Sequence, residues 1–162
     1  MKRFVGSTLA AWLVFIGIDF FFHASLLKSL WAEPNPAIKP LGELAALIPA
    51  GYGSFLLLTL LVGYLYRRIF TRQPARGEAF KFALVFALLF SAANFLGLYS
   101  YTAIPVKHLA IFNLVYFIEI MAVADIFYRT THAEKPRRTW WLAVLIFLAL
   151  IVAGVLVQNF MK

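Results

Sequence analysis

Apolar and polar positions divide the chain into five long apolar blocks separated by short polar breaks, each containing proline. The blocks cover about 4–27, 46–66, 79–101, 108–128 and 140–160. Each reaches the ~20 residues that a helix needs to cross a bilayer. None alternates with the period of a strand, which excludes a transmembrane barrel. Lipid offers no partner to backbone N–H and C=O groups, so helices are the form these blocks must take. The breaks AEPNPAIKP, TRQPARGE, TAIP and THAEKPRR carry the prolines and polar residues that end helices. The pattern predicts an all-α protein: a polytopic transmembrane bundle of five helices, with residues 1–162 as a single transmembrane domain.

Composition strengthens this picture. The chain is 63% hydrophobic and 14% charged, with a mean hydropathy of +0.84. A soluble domain has about 45–50% apolar and about 25% charged residues. The net charge of +8 suggests a nucleic-acid surface only until the charges are placed. They sit at the ends of the apolar blocks and form no phosphate-tracking run, so no nucleic acid is expected. Counting alternate breaks, eleven of the fifteen Lys and Arg residues fall on one side. The positive-inside rule then puts the N-terminus in the cytoplasm and the C-terminus outside. Tyr64, Tyr66, Tyr99, Tyr101, Tyr128, Trp31, Trp140 and Trp141 lie near block ends, where amphipathic rings settle. The first block follows a basic lead, as in a signal peptide. It is too long for one and is interrupted by Asp19, so it reads as a retained first helix. The absence of cysteine excludes disulfides and thiolate chemistry.

Few side chains are left for chemistry. An ionisable group in hydrocarbon costs at least ~2.5 kcal/mol, and such groups usually face the bundle interior. Asp19 and His23 lie one turn apart on span one, where they can share a partner or pair with each other. On span three, Ala83, Ala87, Ser91 and Asn94 form a stripe of small residues that leads up to an amide, a spacing that lets helices approach closely. On span four, Asn113, Tyr116 and Glu119 form a slanting stripe. At ~1.5 Å of rise per residue, Asp19, Asn94 and Asn113 come to similar depth in the outer third, with Glu119 near the midplane. The six residues Asp19, His23, Asn94, Asn113, Tyr116 and Glu119 are therefore the candidate ligand-binding set. They predict a polar pocket between spans one, three and four in the outer half of the bilayer.

Plainer readings stand beside these. His23 can be an interfacial histidine, and Asp19 with His23 a structural ion pair. Asp125 lies four residues before Arg129 and reads as a helix-surface pair outside the site. Glu119 has no basic residue within four positions, so it needs either a partner from another helix or a proton. Asp19, His23 and Glu119 offer the ligand types of a metal site, but D-x-x-x-H is a weak pattern and no metal is assigned. A G-x-S-x-G elbow and a glycine-rich phosphate loop are both missing, so no cofactor is named. GYGS at 51–54 reads as close helix packing. The 28–45 connection, stiffened by Pro34, Pro36 and Pro40, either caps the pocket or lies on the headgroups, and LGELAALIPA leads from it into span two.

DFFFH followed by Trp31, a small-residue third span and an Asn-containing fourth span resemble small bacterial inner-membrane families of unknown function. The resemblance covers spans one to four. It implies a bacterial inner-membrane location and nothing about chemistry. Three functions stay open at this point. One is binding or transport of a small polar molecule, a cation or a proton. Another is an accessory or scaffold subunit of a larger membrane complex. The third is a membrane-embedded enzyme using Asp19, His23 and Glu119. The expected surroundings are the lipid bilayer, with a homo-oligomer or a larger complex left open.

Overall fold

The computed structural model describes residues 2–33, 37, 39, 41–131 and 136–160, apart from the side chains of Lys2, Ala32, Leu41, Ala45 and Pro136. Every regular element among them is helical. In chain order they are α1 (Lys2–Asp19), a π-helical stretch (Phe20–Leu26), α2 (Lys28–Ala32), α3 (Leu41–Ile69), α4 (Arg76–Tyr101), α5 (Val106–Thr131) and α6 (Pro136–Phe160). Five stretches are long and apolar enough to cross a membrane: Arg3–Leu26, Ala46–Ile69, Arg76–Tyr101, Val106–Thr131 and Arg137–Phe160.

The helices overrun the apolar blocks at their polar ends. α4 starts at Arg76 because the Ala75 amide donates to Glu78 Oε2 at 2.9 Å, which satisfies a backbone group that a helix start leaves open. The 28–45 connection is shorter than expected. Helix α2 occupies its start and α3 begins at Leu41 and runs through Pro49. Pro34, Pro36 and Pro40 lie outside the described residues, as do Lys135 and Lys162.

α5 is the centre of the bundle and packs against α1, α3, α4 and α6. α1 lies between α3 and α6, while α4 leans chiefly on α5. The face that α4 turns inward is the expected stripe: Ala79, Ala83, Ala87 and Ser91 are all buried. Close approach also depends on glycine. A Cβ on Gly63 would fall on the Phe127 ring, and one on Gly154 would lie 2.7 Å from Ser25 Oγ and 2.8 Å from Phe20. At Gly51 and Gly53, by contrast, a Cβ would meet nothing within 4 Å. GYGS is therefore not a close-packing motif.

Aromatic stacking fills the middle of the core. Phe15 stacks on Phe55 at 4.4 Å, joining α1 to α3, and the Trp12 indole donates to the Tyr52 carbonyl at 2.9 Å. Tyr66 and Phe127 are fully buried and stack at 6.4 Å.

The distribution of apolarity is the reverse of a water-soluble bundle. α6 has the highest mean hydropathy of the five spans, 2.8, yet only 11% of its apolar window is buried. α5 is less apolar, at 2.0, and 44% buried. Where the most apolar helix is the most exposed, the surroundings that suit it are lipid.

Candidate functional site

The site starts from a local irregularity in the first span. At Asp19 the α-helix gives way to π-helical turns, marked by the Leu27 amide donating to the Phe22 carbonyl five residues back, at 2.8 Å. Such insertions recur at functional sites because they widen a helix and re-aim its side chains. Here the widened turns are held from the last span. Gln158 Nε2 donates to the Ala24 carbonyl at 2.6 Å, and Gly154 lets Phe20 and Ser25 come against α6.

His23 Nε2 stands 3.8 Å from Asp19 Oδ1, the i, i+4 contact expected from their spacing. Both side chains line a cavity of 340 Å³ walled on the far side by Ile48, Gly51, Tyr52 and Phe55 of α3. That volume is within the ~300–1,000 Å³ typical of small-ligand sites. The wall differs from the expected one. The cavity opens between spans one and two, and α1 makes no substantial contact with α4. The missing Cβ of Gly51 helps to keep this side of α3 open.

Behind Asp19 stands α5. Glu119 is 1% exposed and close enough to Asp19 for their charges to interact; Tyr116 lies within electrostatic reach of both, and the Tyr52 phenol within reach of Asp19. Among the described residues no Lys or Arg belongs to this group. Glu119 Oε1 and His23 Nδ1 are buried without a hydrogen-bond partner. An unmatched buried polar atom costs about 1–3 kcal/mol, and Glu119 carries one of these on a carboxyl group that is almost fully buried.

Beyond His23 the cluster is covered by aromatic rings. Trp31 of α2 stacks on Phe112 at 4.5 Å with the planes 8° apart, and His23 packs against both rings. His108, buried, places Nε2 3.4 Å from Glu33 Oε2. α2 is thereby fastened to the start of α5.

The two asparagines belong to a separate arrangement. Asn94 Nδ2 donates to Asn113 Oδ1 at 2.9 Å, and Asn113 Nδ2 donates to the Leu109 carbonyl at 2.7 Å. This clamp joins α4 to α5, and among the described residues no hydrogen bond or ion pair connects it to Asp19 or Glu119. Of the six residues named from sequence, the structure gathers Asp19, His23, Tyr116 and Glu119 in one cluster and places Asn94 and Asn113 in another. Asp125 and Arg129 pair at 2.6 Å on the helix surface, away from both. Among the described residues no three His, Asp or Glu side chains are grouped to hold a metal ion.

Sequence reasoning missed Tyr52 and Phe55, whose block carries no acidic or basic side chain at that level. It also missed Phe112 and His108. Trp31 was legible only as an interfacial anchor. Comparison with known protein families, with curated proteins and with solved structures finds no match.

Proposed function

We propose that this is an integral membrane protein that binds a small cation or a proton at Asp19 and Glu119, reached through the cavity between the first two spans. The observation that carries the reading is Glu119, 1% exposed with Oε1 unpartnered, standing behind the cavity-lining Asp19, with no lysine or arginine among the described residues that line the cavity. Two carboxylates in a low-dielectric interior repel strongly, and a proton or a cation between them removes the repulsion. Tyr52 and His23 line the same cavity as Asp19, and the rings of Phe20, Tyr52 and Phe55 offer π faces that tolerate a cation. In this reading the basic end of the bundle faces the cytoplasm, in keeping with the charge bias, and the cavity opens in the outer half of a bacterial inner membrane.

The test is cation binding by the purified protein in detergent, measured calorimetrically with sodium, potassium, magnesium and tetramethylammonium, together with proton release on binding. Binding that releases protons, weakens as pH falls and disappears in both Asp19→Asn and Glu119→Gln supports the proposal. Binding of none of these, with no titration difference between wild type and Glu119→Gln, would sink it. The accessory-subunit reading would then take its place.

A further inference from the structure

At the opposite, basic end of the bundle a second cavity lies between the first turns of α1 and α6 and the last turn of α5. It has a volume of 460 Å³. We infer that it is a binding site for the phosphate headgroup of an anionic phospholipid, with Arg3 and Arg137 as its ligands.

Both arginines line the cavity and both are exposed. Among the described residues neither has an ion-pair partner, and no carboxylate lines the space. Ser7 and Thr130 also line it, but their hydroxyl protons go to the carbonyls of Arg3 and Ile126, at 2.9 and 2.7 Å. The guanidinium groups are thus the free donors, and a guanidinium fork matches the oxygens of a phosphate. α1 and α6 begin at this end while α5 ends there, so the helix dipoles partly offset and the two guanidinium charges set the field.

A lipid fits better than a free phosphate because of what adjoins the arginines. Trp140 is fixed by donating its indole N–H to the Gly6 carbonyl at 3.1 Å, and Trp141 is 58% exposed. Tryptophan at this position is the usual marker of headgroup level. From Trp141 a stripe of exposed apolar residues, Leu145, Leu148 and Val152, runs along one face of α6. A headgroup held between Arg3 and Arg137 has its acyl chains laid against that stripe. Basic pockets between helices at the cytoplasmic side are the usual seats of anionic headgroups.

The experiment counts lipids retained by the purified full chain in native mass spectrometry. Phosphatidylglycerol is compared with phosphatidylcholine of the same acyl chains, with and without excess inorganic phosphate. Wild type should keep one phosphatidylglycerol in preference to phosphatidylcholine. R3Q/R137Q should lower that occupancy about tenfold or more, since two basic contacts are lost. R67Q/R68Q, which alters a separate basic cavity beside Phe4 and Tyr64, should leave it unchanged. Gly6→Leu keeps both arginines; a Cβ there has room, with Trp140 Nε1 nearest at 3.9 Å, and the longer side chain enters the cavity and should also expel the lipid. Three results would overturn the inference: no headgroup preference, equal loss in the two arginine pairs, or retention in Gly6→Leu. Displacement by inorganic phosphate would show a phosphate site and refute the lipid.

Discussion

Two polar groups sit on neighbouring faces of α5, and they differ in whether they are closed. In the Asn94–Asn113 clamp the Asn94 amide is spent on Asn113 Oδ1, and the Asn113 amide on the Leu109 carbonyl. In the Asp19–His23–Tyr116–Glu119 cluster, Glu119 Oε1 and His23 Nδ1 have no hydrogen-bond partner among the described residues. The clamp carries no net charge, and both asparagine amide groups have acceptors within it. The cluster holds two carboxyl groups and has a cavity at its side. In a medium that cannot solvate polar atoms, closure of this kind marks a packing device. A group left open beside a cavity is what the proposed binding site requires. Polar residues a few positions apart on one helix thus differ in whether their neighbours satisfy them.

The largest effect that could break this contrast is expected at Glu119. Glu119→Gln keeps the shape of the side chain and removes its charge. It should abolish cation or proton binding while the protein remains folded and extractable, judged by circular dichroism and gel filtration in detergent. A variant that binds as before, with unchanged pH dependence, would put the cluster in the same class as the clamp.

Next in size are the changes on the first span. Asp19→Leu or His23→Leu alone leaves one member of the pair without the other, and a lone buried charge can cost about 3 kcal/mol. The double replacement removes both and should cost less than the worse single. Chemical unfolding in detergent of the three variants checks the order. Equal and small effects in all three would mean that the pair is interfacial decoration.

The clamp should respond more weakly and only in stability. Asn94→Leu breaks the bond to Asn113 and should cost about 1 kcal/mol, the scale measured for hydrogen bonds between membrane helices. Cation binding should not change. Loss of binding in this variant, with stability intact, would join the clamp to the site and restore the pocket between spans one, three and four.

How much of this was readable in advance follows from the physics involved. Span number was readable because the bilayer fixes segment length, and five stretches of the right length and hydropathy are present. The helix boundaries drifted outward at Arg76 and Ile69 because helices continue into polar flanks where lipid no longer selects. Asp19, His23, Tyr116 and Glu119 were readable because polar residues are few and costly in an apolar chain. Their separation from the two asparagines was not. Depth along a helix follows from residue number, but the face of α5 that meets α1 or α4 depends on how the helices pack. The π-helical stretch was hidden for a similar reason, since FFFHASL suits an α-helix equally well. Only contact with Gln158 and Gly154 of α6 brings out its role.

The smallest expected effect tests the cavity itself. Gly51 lies in its α3 wall, inside a helix, and a Cβ added there meets no atom within 4 Å. Gly51→Ala should therefore stabilise the helix, by about 0.5–1 kcal/mol, since alanine loses less backbone freedom on folding. Gly63→Ala should do the opposite, because its Cβ lands on the Phe127 ring. If the cavity admits the ligand, Gly51→Ala narrows it and should weaken binding slightly even as the protein becomes harder to unfold. Gly51→Phe would extend that loss to near-complete exclusion while leaving Asp19 and Glu119 untouched. Stability and binding moving in opposite directions cannot arise from general damage to the fold. Unchanged binding in Gly51→Phe would mean that the ligand reaches the two carboxyls by another path and that the opening beside α3 is only a gap filled by lipid.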